Sequence, residues 1–417
     1  MYRSSKHTLF YTNTSKKLEI NKFLEEYHIA LQEYIDFIWF NKIIVKDIVL
    51  DIQNDIFSKP SYIDYNLISS STSLSARVLR AVADQALGIV LGVIVRKAKY
   101  LYVLEKVKEE NNKKAIEFIT KKLSKIKINK PVIGKNVKAE LCANCVDIEQ
   151  DKTSFDCFIR LSCLGKQYNH IKMPLNFNKV DIKWKGKGKL LDSILLSSNR
   201  IELRYKVEKP ELKTEGQIVG ADTGVKTVIT LSDKQTPPES NKHGHSLDTV
   251  LTIMSRKKPG SKAFKRSEQH RKNIIGWAIN RLNFSNIKEV KLEHINNIFF
   301  GKNTSKKLKR FTNSAIEQKV IQLCEELGVL VSLQNSTYKS QRCSGCGIVL
   351  KSNRKNKVYI CKHCGYAEDA DLNAAINNEA DLPKIPYWLK EKNYNKVGFY
   401  WKPTGFYNLE GQELISP

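Results

Sequence analysis

The sequence predicts a multidomain α+β protein, on three observations. Helical spacing fills much of the first 130 residues. A period of two replaces it after Pro131, and from Gly216 strands alternate with helices. Two CxxC pairs close to the C-terminus interrupt that last pattern.

The elements follow in order. Residues 7–13 are rich in β-formers and predict a short strand. Phe23, Leu24, Tyr27, Ala30, Leu31, Tyr34, Ile35 and Ile38 recur at three and four residues, which predicts one apolar helix face. A second helix is expected over 74–104, with Ser71, Thr72 and Ser73 as candidate caps, and a third over 111–123. Phe155, Cys157, Ile159 and Leu161 alternate, as do Ile201, Leu203, Tyr205 and Val207, so 131–208 reads as a small antiparallel sheet or barrel that the first strand could join. Beyond it come a buried hairpin (218–221 with 226–231), a strand at 248–254, a basic helix at 262–282 and a strand at 287–292. A helix at 305–326, a strand at 328–333, the cysteine-rich insert and a helix at 371–379 complete the pattern.

Charge narrows the partners. Of 417 residues, 70 are Lys or Arg and 43 Asp or Glu, a net +27. Such an excess repels itself unless a polyanion neutralises it, and nucleic acid is the usual one. The apolar run 86–95 is about half a membrane span, and the basic N-terminus has no signal-like apolar stretch, so a cytoplasmic protein is expected.

Cys343-x2-Cys346-Gly347 and Cys361-x2-Cys364-Gly365 are two knuckles separated by fourteen residues. Each glycine permits the turn that aims two thiolates at one ion, and four thiolates make a closed structural zinc site. Cys142-x2-Cys145 lacks the glycine and reads as buried thiols, with a second metal site as the alternative; Cys157, Cys163 and Cys324 read the same way.

Three carboxylates end elements of the α/β region. Asp222 closes an apolar strand in Gly-Ala-Asp-Thr-Gly, Glu293 closes another, and Asp371 opens a helix in Asp-Ala-Asp-Leu-Asn-Ala-Ala. A carboxylate at the end of a buried strand is costly without a partner. Three together can hold two hard cations, Mg²⁺ or Mn²⁺, of the kind that hydrolyse phosphodiesters. Asp369 competes with Asp371, since either can be ligand or helix cap.

The order Asp, Glu, zinc ribbon, Asp resembles the RuvC-like, RNase H-fold nuclease of the TnpB proteins and of the related compact type V CRISPR effectors. The carrying segments are Ile218–Gly224, Lys291–His294, Ser340–Gly347, the second knuckle and Asp369–Ala375, within about 216–380. The resemblance implies a first strand of a wedge barrel (1–14), a helical recognition domain (15–130), the wedge β-barrel (131–210) and a RuvC-like nuclease in two parts (211–337 and 368–380). A target-nucleic-acid-binding zinc ribbon (338–367) lies between those parts, and an aromatic tail (381–417) follows. It implies Asp222, Glu293 and Asp371 as catalytic, Mg²⁺-binding acids, with Asp371 preferred to Asp369. It also implies Cys343, Cys346, Cys361 and Cys364 as zinc ligands, and a guide RNA that pairs with target DNA beside a short flanking motif. The chain would act as a monomer or as a homodimer on one guide. The alternatives are a guided repressor that does not cut and an unguided resolvase; the retained acids argue against the first, and the long N-terminal half against the second. Ala370 departs from the arginine many members carry there.

Three basic segments are candidate nucleic-acid contacts: Lys183, Lys185, Lys187 and Lys189 around Trp184, then Lys257 and Lys258, then Lys306, Lys307, Lys309 and Arg310. The first reads as a flexible glycine loop with Trp184 free to stack on a base. Tyr387, Trp388, Tyr394, Phe399, Tyr400, Trp401, Phe406 and Tyr407 make the tail aromatic, and packing on the nuclease region is expected of it.

Overall fold

The computed structural model describes residues 1–40, 66, 68–109, 113–124, 129–134, 136–150, 154–164, 169–294, 305–311 and 313–415. The chain divides into two units, Met1–Glu208 and Lys209–Pro417.

In the first unit, β1 (Tyr2–Thr8) precedes three helices, α1 (Thr14–Phe40), α2 (Ala76–Glu109) and α3 (Lys113–Leu123). The face expected of α1 is the buried one: Phe23, Leu24, Tyr27, Ala30, Leu31, Tyr34, Ile35 and Ile38, with Ile20 added. It packs on Val78, Val82, Ala86, Val90 and Ile94 of α2. By length and composition α2 is apolar enough to cross a membrane, but that row of its side chains is buried in the core it shares with α1. Ser71 and Ser73 do not cap α2; they hydrogen-bond Glu33 and Glu26 of α1, tying the segment before α2 to its partner.

The strands that follow are β2 (Ala139–Leu141), β3 (Val146–Gln150), β4 (Cys157–Leu164), β5 (Asn169–Leu175), β6 (Gly188–Ser197) and β7 (Arg200–Val207), with α4 (Lys179–Lys185) after β5. The first strand joins them, pairing antiparallel with β7 from Tyr2↔Lys206 to Thr8↔Arg200. Among the described residues the strands form sheets and not the barrel that the resemblance implied: a four-stranded sheet, β1-β7-β6-β2, and a separate three-stranded sheet, β3-β4-β5. The alternation that sets one buried face per strand is satisfied by two open sheets as well as by a closed one.

The 183–189 segment also differs from expectation. Asn178 and Asp181 form a capping box, so Lys179–Lys185 is a helix and not a flexible loop.

The second unit is built on a four-stranded sheet, β11-β10-β8-β9. Its strands are β8 (Gln217–Thr223), β9 (Ile229–Leu231), β10 (Ile287–His294) and β11 (Leu330–Asn335). β10 runs parallel to both β8 and β11, so each parallel step needs a crossover. α5 (Leu247–Ser255) and α6 (Lys262–Ile279) make the first, and α7 (Asn313–Leu327) makes the second. α5 replaces the strand expected at 248–254. Its run Val250–Met254 looks like a strand, but Leu247, Val250, Leu251 and Met254 are the buried positions, a helical spacing started by the capping box of Ser246 and Thr249.

The insert contributes β12 (Ile348–Val349), β13 (Arg354–Lys355), β14 (Val358–Ile360) and β15 (Ala367–Asp369), and leads into α8 (Ala370–Glu379). The tail adds two short helices, α9 (Tyr387–Glu391) and α10 (Tyr394–Val397), and the hairpin β16 (Phe399–Lys402) and β17 (Gly405–Tyr407). β16 pairs with β12, and Leu389, Phe399 and Trp401 bury themselves against Val349 and Ile385. The tail's aromatics are therefore largely a small core beneath the insert.

Candidate active site

Parallel β8 and β10 are neighbours in register, Leu292 opposite Ala221, so the next residues, Asp222 and Glu293, stand side by side near the C-terminal ends of the two strands. Both carboxylates are about nine-tenths buried. Asp371 comes from the first turn of α8. α8 lies directly on β8: a Cβ added to Gly220 would stand 2.0 Å from the Ala375 carbonyl oxygen and 2.3 Å from the Glu379 nitrogen. Only glycine permits that approach. Asn378, at the far end of α8, donates to the Ala221 carbonyl at 3.0 Å.

The three acids line one cleft of about 380 Å³ together with Thr223, Lys226, Ser340, Arg354 and Lys357. Burial is the first cause that raises the Asp222 carboxyl well above its usual range, and the charges of Glu293 and Asp371 add to it. Burial likewise pushes Glu293 up to about 7, opposed by its hydrogen bond with Asp222 and by Arg354 and Lys339. Two hydrogen-bonded buried carboxyls need a shared proton or a cation between them. That donor set, all oxygen, suits a hard divalent ion.

Asp369 is used otherwise. Its Oδ1 accepts from the Asp371 and Leu372 backbone N–H groups at 2.9 and 3.1 Å, which makes it the N-cap of α8. Asp371 is left to the cleft, where Arg354 Nη2 meets its Oδ1 at 2.9 Å. Arg354 and Lys357 come from the cysteine-rich insert, Lys357 donating to Thr227 at 2.9 Å and pairing with Glu239. Sequence reading missed both, because one more Arg or Lys in so basic a chain carries no local signal.

The four cysteines form a second, tighter cluster. Sγ atoms of Cys343, Cys346, Cys361 and Cys364 all lie within 4.8 Å of one another, the spacing at which one ion can be shared. Gly347 and Gly365 take left-handed backbone (φ +82° and +76°), and each donates back to the first cysteine of its knuckle at 2.9 Å. Among the described residues no other group of three or more candidate ligands closes so tightly. Cys142 and Cys145 stand 3.9 Å apart in the turn between β2 and β3, and Cys145 is bonded to the Arg77 carbonyl. Cys157 and Cys324 are core; the Cys163 side chain lies outside the described residues.

The basic candidates are scattered. Lys183, Lys185, Lys187 and Lys189 are exposed, but Trp184 is 4% exposed in the core of the first unit, its ring covered by Lys183 at 4.2 Å and Arg3 at 5.8 Å. It is a packing residue, and the expectation that it stacks on a base is corrected. Lys257 bonds Ser267, while Lys258 is exposed. Lys306 and Lys309 are exposed, Lys307 pairs with Asp248, and Arg310 lies over the Phe264 ring at 4.9 Å.

Residues 314–378 match the family described as Cas12f1-like, TNB domain. The chain is 40% identical over 74 residues to the CRISPR-associated endodeoxyribonuclease Cas12f1 of Sulfoacidibacillus thermotolerans, 18% of each chain. It is 32% identical over 83 residues to a TnpB-like protein of Aquifex aeolicus, 18% of this chain and 27% of that one. The matched segments thus span about a quarter or less of these relatives. A solved Cas12f1–sgRNA–target DNA complex aligns with 91% of this chain and 99% of its own at 14% identity and a TM-score of 0.46. The chain resembles the TnpB proteins and compact type V effectors.

Proposed function

We propose that the chain is an RNA-guided, divalent-metal-dependent DNA endonuclease. The observation that carries this is the cleft itself: the ends of two parallel strands and the start of a helix bring Asp222, Glu293 and Asp371 to one place, beside a four-cysteine cluster. The Cas12f1-like TNB family description matches 314–378, the segment that supplies the cysteines and Asp371, and relatives named as an endodeoxyribonuclease and as TnpB-like match over 74 and 83 residues.

In this reading Asp222, Glu293 and Asp371 hold Mg²⁺ or Mn²⁺. Bound there, such ions activate water and stabilise the leaving oxygen of a phosphodiester. The chain's own contribution is geometric and electrostatic. Burial of Asp222 and Glu293 concentrates negative charge, α8 sets the third carboxylate, and Arg354 and Lys357 bring positive charge to the rim for phosphate oxygens. Cys343, Cys346, Cys361 and Cys364 hold one structural Zn²⁺ that stiffens the insert bearing Arg354 and Lys357. The first unit, with exposed Lys183, Lys185, Lys187 and Lys189, grips the guide RNA and target DNA by their backbones. RNA that co-purifies identifies the guide; with it and Mg²⁺ the protein cuts matching DNA, and Asp222→Ala binds without cutting. A wild-type protein that opens its guided target in Mg²⁺ and leaves both strands whole is instead a guided repressor.

A further inference from the structure

Asp371 reaches the cleft only if α8 is set correctly about its own axis, and one residue outside the cleft has the contacts to do that. We infer that Arg342 is a positioning residue that locks α8, and with it Asp371, to the first knuckle and to the C-terminal tail at once. The inference rests on the nuclease reading only for what Asp371 does once placed.

Arg342 is 8% exposed and stands immediately before Cys343. Its Nη1 donates to Asn377 Oδ1 on α8 at 2.6 Å, and its Nε donates to the Trp401 carbonyl on β16 at 2.8 Å. Its own carbonyl accepts from Asn373 Nδ2 at 2.9 Å and from Asn377 Nδ2 at 2.7 Å. Asn373 also accepts from the Ser344 N–H, inside the knuckle, at 3.0 Å. The fit around the guanidinium is close, since a Cβ on Gly347 would come within 3.2 Å of Nη2.

The spacing on α8 explains what these bonds achieve. Asn373 and Asn377 are four apart and share one helix face, which turns toward the knuckle. Asp371 and Asn378 are seven apart and share another, which turns toward β8 through the Asn378–Ala221 bond. Holding the first face fixes the rotation of the second. The planar fork of arginine serves two acceptors on different elements; a lysine has the charge but not the fork. A tail that fills no part of the cleft therefore still bears on it, because the Trp401 carbonyl fixes one arm of Arg342.

The test uses the full chain with its zinc and bound RNA. In Arg342→Lys, hydrogen exchange of the α8 amides should quicken at least about 10-fold while zinc stays at one per chain. Manganese titrated into the same samples and followed by its electron-spin signal should bind at least about 10-fold more weakly. Asn377→Ser should act in the same direction, and the double variant should be no worse than the poorer single, as for partners in one contact. Unchanged α8 exchange in folded, zinc-loaded Arg342→Lys and Asn377→Ser overturns the inference. So does loss of zinc and of the whole insert's protection in both variants, which would make Arg342 a folding residue. Wild-type protein that binds no manganese sensitive to Asp222→Ala would remove the nuclease reading, while the exchange result still decides the role of Arg342.

Discussion

Arg354 of the cysteine-rich insert and Asp371 of the closing helix form an ion pair at 2.9 Å across the mouth of the cleft. The same carboxylate is a proposed cation ligand, so the guanidinium competes with the cation for it. Arg354→Gln should bind manganese several-fold more tightly, because a positive charge has left the site. It should nevertheless cut DNA at least about 10-fold more slowly, since that charge is also the one placed to meet phosphate. Titration and single-turnover cutting on the same preparation separate the two effects; a variant weaker in both would show that Arg354 only supports the carboxylate.

The paired acids make stability depend on pH in the cation-free protein. Burial pushes the Glu293 carboxyl up from the usual 4.5 to about 7. A raised carboxyl contributes stability below the ordinary value and loses it as pH rises through the raised one. The melting temperature in magnesium-free buffer should therefore fall between about pH 5 and 8, a loss on the order of 3 kcal/mol. Glu293→Gln should flatten the profile, and saturating Mg²⁺ should lift the alkaline end. A wild-type profile without slope over this range would contradict the burial of the pair.

Gly220→Ala places a methyl group into the backbone of α8. Either the helix moves or the strand does. A loss of several kcal/mol in urea unfolding is expected, with cutting abolished, as for other overpacked sites.

The Cys361→Ser variant should lose the metal, which elemental analysis reads directly against one zinc per wild-type chain. It should also loosen Arg354 and Lys357, which lie between the knuckles. Less than about half an equivalent of zinc in wild type would remove the zinc-ribbon assignment.

Trp184 and its flanking lysines should separate cleanly. Trp184→Ala opens a buried cavity and should cost about 3–5 kcal/mol in unfolding, with little change in RNA affinity where the protein remains folded. Replacing Lys183, Lys185, Lys187 and Lys189 by Gln should leave stability nearly untouched and flatten the slope of log affinity against log salt by up to about 3. The opposite pattern would put the indole at the nucleic-acid surface.

These differences follow what local sequence can carry. The α1 face and the strands ending at Asp222 and Glu293 were legible because apolar spacing is a short-range signal. α5 was not, since a run of apolar residues fits a buried strand or helix until the cap at Ser246 is weighed. The barrel was implied by the resemblance, and alternation does not encode closure. Spacing left Asp369 and Asp371 equivalent, and backbone geometry separates them by spending Asp369 on two N–H groups. Arg342 and Lys339 were invisible because burial of a charged residue depends on distant partners: Lys339 donates to the Asn377 carbonyl at 2.6 Å, and desolvation draws it down to about 8. Asn373, Asn377 and Asn378 look in sequence like a polar helix end, yet all three are fully buried.

The seating of α8 on Gly220 also sets a timetable. Asp222 and Asp371 are 149 positions apart, and a ribosome adding roughly 5–20 residues per second needs about 7–30 s to pass from one to the other. Over that interval the chain already has its basic first unit but at first only Asp222, then Glu293 as well for the last 78 positions, and not yet the third acid. On the proposed function, a nascent or prematurely ended chain would hold nucleic acid without cutting it, and cutting would become possible only when the helix behind the second knuckle folds back onto the strand made long before.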